Sequence, residues 1–241
     1  MNDADDDVRT GVVHSGKQLI KRRFSPSMWG ALIAMREEVR TSTKHRGGVR
    51  RARAMEQRDL RLNLGCGPNP RPGWVNVDLE TPGAVSLDLR RALPFATASC
   101  AVVYSEHFFE HLEYPEPARL HLREVFRVLQ PGGTLSMGVP DAEDVVREYV
   151  TGEGSGFQRA RDLHWHPEWC DTPMHQVNFS FRQNGQHRWA YDFETLSRRL
   201  RTAGFGAIEQ VGYQRSLLPA LAQDRDVHAP YSLYVDAVKS A

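Results

Sequence analysis

From residue 59 onward, the chain alternates between short apolar runs and segments in which apolar residues recur at helical spacing. This alternation is typical of a parallel sheet wrapped by helices. The apolar runs predict seven strands, at residues 60–64, 74–78, 84–88, 101–105, 133–139, 207–212 and 231–238. Helical spacing predicts helices over 116–129, ended by Pro131-Gly132-Gly133, and over 191–203, ended by Gly204. We therefore predict an α/β fold with a seven-stranded, doubly wound, Rossmann-like sheet.

Two segments depart from this pattern. Residues 151–187 have little periodicity and many Gly, His and Trp, and they are too numerous for a plain connection in a compact domain. We interpret them as a lid insertion that covers the substrate. Residues 1–58 predict an N-terminal arm with one amphipathic helix near 28–35, which leaves residues 59–241 as the main domain.

Charge is distributed unevenly. The net charge is +1, yet residues 9–58 contain 13 Lys and Arg against three acidic residues, a surplus of ten positive charges. The basic arm can be a solvated extension with one docking helix, or a positive surface for an anionic substrate or for nucleic-acid phosphates.

The overall composition excludes several classes of protein. The chain has 241 residues, of which 40% are apolar and 25% are charged, a composition typical of a folded protein. None of its apolar runs is long enough to predict a membrane span. Four aspartates in the first ten residues do not fit a secretory signal, so we expect a cytoplasmic protein. Three cysteines without a CxxC pair exclude a disulfide framework and a zinc ribbon.

The first predicted strand runs into Gly65-Cys66-Gly67-Pro68. Glycines at this position let the backbone approach a ligand at the carboxyl edge of a sheet. A dinucleotide fingerprint needs a third glycine where Pro70 stands, so NAD is disfavoured. Asp78 ends the second strand, where a carboxylate can accept hydrogen bonds from ribose hydroxyls. The short separation from Gly65 implies that the first helix is truncated or replaced by the Pro-rich loop.

Four motifs together resemble the class I S-adenosylmethionine-dependent methyltransferases, within the group called type 11. They are Leu62-Asn-Leu-Gly-Cys-Gly-Pro68, Gly73-Trp-Val-Asn-Val-Asp78, Leu93-Pro-Phe95 leading to Val102-Val-Tyr-Ser-Glu-His-Phe-Phe-Glu-His-Leu112, and Arg127-Val-Leu-Gln-Pro-Gly-Gly-Thr-Leu135. A looser resemblance, in His187-Arg-Trp-Ala-Tyr-Asp192 and Ala203-Gly-Phe205, is to predicted methyltransferases of sugar and polysaccharide pathways.

The resemblance implies S-adenosylmethionine as the cofactor and S-adenosylhomocysteine as the product. The implied cofactor-binding residues are Asn63, Gly65, Cys66, Gly67, Asp78, Leu79, Asp88, Leu89, Ser105 and Glu106. Among these, Gly65 and Gly67 would hold the methionine part, Asp78 the ribose and Asp88 the adenine amino group, although Asp88 can instead cap a turn. Asn63 replaces the acid that many relatives have there.

A methyl donor of this kind needs little covalent help, but a hydroxyl acceptor must be held in line and must lose its proton. Candidates for the catalytic base stand at strand ends or in the insertion: His107, His175, His187 and Asp141. We rank His107 and His175 equal, His187 third, and Asp141 after the histidines. His111 is interpreted as a packing residue.

The insertion contains His164-Trp-His166 and, further on, Cys170-Asp171, which invites a metal interpretation. Neither a paired CxxC nor HExxH accompanies them, so we predict no metal. Trp165, Trp169 and Trp189 can stack on a sugar face or simply pack the insertion.

We therefore predict an O-methyltransferase that acts on a hydroxyl of a sugar, glycan or polar secondary metabolite, with an acceptor that can be anionic. An RNA methyltransferase that uses the basic arm is one alternative, disfavoured because the sequence has no separate RNA-binding domain and no Asn-Pro-Pro-Tyr-like tetrad for flipped bases. A non-catalytic protein that binds S-adenosylmethionine is another. A homodimer is left open.

Overall fold

The computed structural model describes residues 25–240. The part of the predicted basic arm before residue 25, including Lys21-Arg22-Arg23, lies outside the described residues. The described residues fall into two units, divided between Lys44 and His45. Within the described residues, no helix is both long and apolar enough to cross a membrane.

One long helix, α1 (Pro26–Arg53), begins in the first unit and ends in the second. Ser25 precedes it and accepts a hydrogen bond from the Met28 backbone at 3.2 Å, which is the usual way to satisfy a free N–H at a helix start. A helix is present where one was predicted near 28–35, but it has 28 residues, and the apolar side chains of Met28, Leu32, Ile33 and Met35 are exposed and form no buried face. Its last turns belong with the sheet: Ala52 is completely buried in the core.

The second unit is built on a six-stranded sheet with the order β2-β1-β3-β4-β6-β5. The strands are β1 (Leu60–Leu64), β2 (Val75–Val77), β3 (Cys100–Glu106), β4 (Leu129–Pro140), β5 (Ala207–Val211) and β6 (Ser232–Val238). β2, β1, β3 and β4 are parallel neighbours, and β6 is antiparallel to both β4 and β5. The carboxyl ends of the four parallel strands meet at one edge, where ligands bind in sheets of this type.

Five further helices accompany the sheet: α2 (Ala118–Val128), α3 (Ala142–Thr151), α4 (Gly156–Asp162), α5 (Pro173–Arg182) and α6 (Phe193–Ala203). Short 3₁₀ turns lie at Phe109–His111, Gln183–Gly185, Pro219–Leu221 and Asp226–His228. The starts of α3, α5 and α6 are capped by the side chains of Asp141, Thr172 and Asp192. Gly204 ends α6 in the left-handed conformation, with a φ of 112°, as predicted from its position.

The prediction of a seventh strand at residues 84–88 was wrong within the part of the chain that the structure describes. This segment forms a single bridge, Val77 to Val85, beside the edge strand β2. Further on it turns to the end of α1: the Asp88 N–H donates to His45 Nδ1 at 3.1 Å, and the Ser86 carbonyl lies against Gly48. Val85 thus pairs with residues 76 and 78 at the sheet edge, whereas Ala84 and Asp88 are bonded by side chains of α1, and the segment does not continue along the sheet.

The strand residues of the main core lie on one face of the sheet, where Leu62, Val103 and Leu135 are paired across three neighbouring strands. These residues are almost completely buried, as are Leu64 and Val235 on the same face. A second, smaller cluster consists of Val145, Phe157, Ala160 and Tyr231. Phe157 and Ala160 belong to the insertion at residues 151–187, so this cluster packs the insertion against Val145 and Tyr231. The insertion contains the helices α4 and α5, although the sequence predicted little regular structure there. Its role as a lid stays a prediction.

Candidate active site

A cavity of about 450 Å³ opens at the carboxyl end of β1 and β3. Its walls come from three segments: the Gly-Pro loop after β1, the end of β3, and the loop before β6. The lining residues are Asn63, Gly65, Cys66, Pro68, Asn69, Pro70, Arg71, Pro72, Tyr104, Glu106, Gln223 and Arg225. Four of the ten predicted cofactor residues, Asn63, Gly65, Cys66 and Glu106, are therefore brought together here.

The two glycines of the loop differ in what they face. Both have positive φ, 67° at Gly65 and 49° at Gly67, a conformation that glycine adopts without the strain other residues incur. A Cβ on Gly65 would lie 2.5 Å from the Phe108 ring, whereas a Cβ on Gly67 would meet nothing within 4 Å. Gly65 is therefore a packing glycine. Gly67 does not line the cavity itself, but it has free space around it and lies between the cavity residues Cys66 and Pro68.

Asp78 closes the same loop. Its Oδ2 accepts the Gly67 N–H at 3.0 Å, and its Oδ1 accepts the N–H groups of Glu80 and Thr81. The Thr81 hydroxyl completes the ring by donating to the Gly67 carbonyl oxygen at 2.6 Å. Asp78 thus holds the loop in its conformation. It is not among the residues that line the cavity, and its contact with a ribose stays a prediction.

Asp88 is enclosed by arginines. It is 2% exposed, and its two oxygens accept hydrogen bonds from Arg90 and from Arg91 Nε at 2.8 to 3.0 Å. Burial raises the pKa of Asp88, but these hydrogen bonds and charges lower it by more. Leu89 belongs to the main core. Neither residue lines the cavity, so this structure does not show the predicted contact of either residue with adenine.

Glu106, at the end of β3, carries the negative charge of the cavity. Arg225 binds it twice, through its backbone N–H and its Nε, each at 2.9 Å, and His228 Nδ1 lies 3.1 Å from its Oε1. Burial works against ionisation, but these partners lower the pKa of Glu106 to about 2. The carboxylate is therefore ionised and ties the loop before β6 to the sheet.

Asn63, Cys66 and Ser105 are buried. The Asn63 amide donates to the Asn69 carbonyl at 3.3 Å and to Asn76 Oδ1 at 2.9 Å, and it thereby holds the Pro-rich loop in place. Burial raises the pKa of the Cys66 thiol. The Ser105 hydroxyl has no partner within the described residues and does not line the cavity. Leu79 likewise lies outside the cavity wall.

His107 follows β3 directly and has an unusual backbone, with a φ of 51°. Its Nδ1 lies 3.3 Å from Glu110 Oε1, and its Nε2 lies 2.7 Å from the Ser232 hydroxyl. The ring stacks on His228 at 3.7 Å between centroids, and Trp165 covers its edge at 5.6 Å. A non-glycine residue in this conformation is uncommon, and such strain is concentrated at functional sites.

Glu110 lies at the centre of three histidines. Its side chain is 1% exposed, and its Oε1 lies 3.9 Å from the Nε2 atoms of both His111 and His187. Burial raises the pKa of Glu110, but the three neighbouring imidazoles lower it by more. His187, predicted as a third-ranked base, is thus brought to the same cluster as His107, although burial lowers its own pKa.

The structure does not bring the other two base candidates to this cluster. The His175 side chain is 51% exposed and pairs with Asp171 at 2.8 Å in the first turn of α5. Asp141 caps α3 by accepting the N–H groups of Glu143 and Asp144. Burial and the nearby Asp144 raise the pKa of Asp141. Both residues have a local structural role.

The three tryptophans have different surroundings. Trp165 packs between His107, His166 and Tyr231. Trp189 stacks on Tyr114 at 4.4 Å between ring centroids. Trp169 is 53% exposed and borders a groove of about 350 Å³ with Asn178, Phe179, Arg182, Asn184 and Gly185. Of these three tryptophans, only Trp169 therefore has an exposed side chain that also lines a groove.

Comparison with known families identifies the class of protein. Residues 73–137 match the family model described as a methyltransferase domain. The chain carries a methyltransferase domain. This match confirms the predicted enzyme class and, with it, S-adenosylmethionine as the cofactor. A search of curated proteins finds none that matches.

Several solved structures are similar to this methyltransferase. One is a possible histamine N-methyltransferase from Thermotoga maritima, 15% identical, with a TM-score of 0.47 over 87% of this chain and 96% of that one. Another is 1,6-didemethyltoxoflavin-N1-methyltransferase from Burkholderia thailandensis, 14% identical, with a TM-score of 0.45 over 90% and 92%. A third is phosphoethanolamine N-methyltransferase 2 from Haemonchus contortus, 12% identical, with a TM-score of 0.41 over 81% and 52%.

Sequence reasoning did not predict several residues of the methyltransferase site. Arg71 and Tyr104 stand inside the motifs, but nothing in the sequence indicated that their side chains meet. Gln223, Arg225 and His228 belong to a loop without periodicity. For Glu110 a signal existed, because the Glu106-His107 pair is repeated as Glu110-His111 one helical turn later.

Proposed function

We propose that this methyltransferase transfers the methyl group of S-adenosylmethionine to a hydroxyl group of a sugar, glycan or polar secondary metabolite. The observation that carries the proposal is the pairing of His107 with the buried Glu110 beside the cavity residue Glu106. An acid-oriented imidazole is a suitable base for an alcohol.

The cavity has features that fit the cofactor. Gly67, between the cavity residues Cys66 and Pro68, has nothing within 4 Å of an added Cβ. The cavity wall carries both a carboxylate, Glu106, and two guanidinium groups, Arg71 and Arg225. These charges suit a ligand that has an ammonium and a carboxylate group. The bound cofactor supplies a methyl group already activated on a positively charged sulfur, so the protein has to position the acceptor and remove its proton.

His107 has the arrangement required for that proton transfer. Glu110 favours the tautomer with the proton on Nδ1, which leaves Nε2 as an acceptor. Nε2 already lies at hydrogen-bond distance from a hydroxyl group, that of Ser232. The single Ser232 hydroxyl hydrogen can instead be donated to the His228 carbonyl oxygen, which lies 2.6 Å away. When it is donated there, Nε2 is free to accept the hydrogen of an acceptor hydroxyl. Because Trp165 covers the ring, acceptor access requires the insertion to move, as a lid would.

The groove beside Trp169 supports a glycan or sugar acceptor. An exposed indole face provides an apolar surface, and the amides of Asn178 and Asn184 with the guanidinium of Arg182 provide hydrogen-bonding groups. Pockets that combine an aromatic wall with a few polar groups are typical of small-ligand sites. We propose that this groove binds a part of the acceptor distant from the methylated hydroxyl.

Transfer of a labelled methyl group from S-adenosylmethionine to separate panels of saccharides, phenols, amines and RNA tests the acceptor class. We expect labelling in a hydroxyl-bearing panel. Labelling of amines or RNA alone would contradict the proposal. With the best acceptor, His107→Asn should slow turnover about 100-fold or more, with unchanged affinity for S-adenosylhomocysteine. His175→Asn is the control, since it removes an exposed His from a His–carboxylate pair outside the cluster. A rate near wild type in His107→Asn would remove His107 as the base.

A further inference from the structure

Glu110 is a buried carboxylate whose nearest partner is His107, with Nδ1 3.3 Å from its Oε1. Neither of its oxygens accepts a hydrogen bond of good geometry within the described residues, although its side chain is 1% exposed. A buried charge of this kind is costly unless it is paired, hydrogen-bonded or bound to a metal. The nearest groups are three imidazoles, so their orientation decides what can compensate the charge.

The orientations of His111 and His187 are fixed by backbone carbonyls. His111 Nδ1 lies 3.2 Å from the Gln186 carbonyl oxygen, and His187 Nδ1 lies 2.6 Å from the Ser180 carbonyl oxygen. Because a carbonyl oxygen can only accept, each Nδ1 carries the hydrogen and donates it. In the neutral ring, each Nε2 is then a lone pair. Both Nε2 atoms lie 3.9 Å from Glu110 Oε1.

Two lone pairs and a carboxylate therefore converge on one small region. One ligand atom from each residue falls within 4.8 Å of the other two. The 3.9 Å separations are too long for direct hydrogen bonds, so protonation of one ring would not satisfy the carboxylate in this geometry. A cation between the three atoms would bind all of them. An imidazole that donates its other N–H to a backbone carbonyl is the usual arrangement around a protein-bound metal.

We propose that Glu110, His111 and His187 form a binding site for a divalent transition metal of the zinc type. Two imidazoles and one carboxylate suit Zn²⁺ and its neighbours, whereas Mg²⁺ and Ca²⁺ prefer sites made of oxygen atoms. Three protein ligands leave at least one coordination position open. The His111 side chain is 31% exposed and provides the route by which the ion enters.

The metal site would connect the edge of the sheet with the end of the insertion. Glu110 and His111 belong to the 3₁₀ turn after β3, and His187 ends the insertion. The Glu110 carbonyl oxygen already accepts the N–H of Arg188 at 2.8 Å. A metal would add a second tie between the sheet edge and the insertion, next to His107. This inference does not rest on the identity of the acceptor, because its test reads metal binding and not methyl transfer.

The test uses the full chain, stripped of metal and then dialysed against Zn²⁺ or Co²⁺. We expect one Zn²⁺ per chain, measured by elemental analysis after gel filtration, and visible absorption bands from bound Co²⁺. His111→Gln and His187→Gln should each weaken Zn²⁺ affinity about tenfold or more in competition with a chromogenic chelator. His175→Gln, which alters the exposed pair with Asp171, should leave the affinity unchanged.

Three outcomes would overturn the proposal. They are a chain that retains no Zn²⁺ at saturation, a His111→Gln protein that binds as tightly as the wild type, and a loss in His175→Gln equal to that in His111→Gln. Circular dichroism of each variant separates metal loss from unfolding. If His187→Gln does not fold, the partly exposed His111 still decides the result. A melting temperature of the wild-type protein that rises with Zn²⁺ but not with Mg²⁺ is a further expected result.

Discussion

The guanidinium of Arg71 lies 3.4 Å from the centroid of the Tyr104 ring. Arg71 belongs to the Pro-rich loop after β1, and Tyr104 lies on β3. The same guanidinium donates to the Gln223 carbonyl oxygen at 3.1 Å, and the Tyr104 hydroxyl donates to Asp224 at 3.1 Å. The cation–π contact thus joins two of the segments that form the cavity, and the two hydrogen bonds attach the third, the loop before β6.

Replacing Arg71 should open this cavity without unfolding the sheet. Arg71→Met keeps the aliphatic stem but removes the cation–π contact, worth about 0.5 to 2 kcal/mol, and the hydrogen bond to Gln223. We expect weaker binding of S-adenosylhomocysteine in calorimetry, by roughly the same free energy. Arg147→Met, on the exposed face of α3, is the control. Equal affinity in the two variants would show that the contacts of Arg71 with Tyr104 and Gln223 do not shape the cofactor site.

Two adjacent glycines in α1 should respond in opposite directions to alanine. A Cβ on Gly47 meets nothing within 4 Å, whereas a Cβ on Gly48 would lie 2.0 Å from the Ser86 carbonyl oxygen. Gly47→Ala should raise the free energy of unfolding by about 0.5 to 1 kcal/mol, since alanine is the better helix former. Gly48→Ala should lower it by about 1 to 3 kcal/mol through overpacking. Urea denaturation measures both, and stabilisation by Gly48→Ala would contradict the packing of the helix end on residue 86.

Gly67→Ala should affect the cofactor more than the fold. Gly67 does not line the cavity, but its chain neighbours Cys66 and Pro68 do, so a side chain there stands next to the cavity wall, and the positive φ adds a strain of about 1 to 2 kcal/mol. Gly83→Ala is the matched control, because Gly83 also has positive φ, 82°, and nothing within 4 Å of an added Cβ, but neither of its chain neighbours lines the cavity. Both variants should lose similar stability. Only Gly67→Ala should lose about tenfold or more in affinity for S-adenosylhomocysteine; equal affinities would place the cofactor elsewhere.

His121, buried in α2, should make stability depend on pH. Burial lowers its pKa from 6.5 to about 4, and its Nδ1 donates to the Leu89 carbonyl oxygen at 3.1 Å. Below pH 6.5 the unfolded chain binds a proton that the folded chain does not, so stability is complete above 6.5 and falls as the pH drops toward 4. Between pH 7 and 5 the loss should be roughly 2 kcal/mol. His121→Asn keeps a hydrogen-bond donor but cannot take up this proton, so between pH 7 and 5 its free energy of unfolding should fall by roughly 2 kcal/mol less than that of the wild type. An equal fall in both proteins would show that His121 does not cause the pH dependence.

The sequence located all six observed strands, but its accuracy at their ends varied: the edge strand β5 was predicted to within one residue, whereas the internal strand β4 begins four residues earlier than predicted. β1 was predicted at its observed bounds, Leu60–Leu64, because its apolar pattern reports burial between β2 and β3. Residues 84–88 have a similar pattern and are also buried, but α1 covers them and satisfies part of their backbone. An apolar run shows that a segment is buried and does not show which element covers it.

The candidate site was predictable only where one segment carries it. The glycine loop and Glu106 followed from the motifs. The position of Asp88 between two arginines depends on side-chain conformations that no spacing records. The convergence of Glu110 with His187 depends on the path of the insertion, whose helix α5 was missed although Thr172-Pro173 is a common helix start.

The sheet order constrains the sequence of events during synthesis. β5 pairs with β6 and not with β4, although it precedes β6 in the chain. Until residues 232–238 leave the ribosome, β5 has no strand beside it, and the edge of β4 stays open to other chains. The same late segment carries Ser232, and the loop just before it carries Arg225 and His228. A nascent chain therefore completes its sheet and its site together, and translation that stops before β6 should yield a protein prone to association and unable to bind its cofactor.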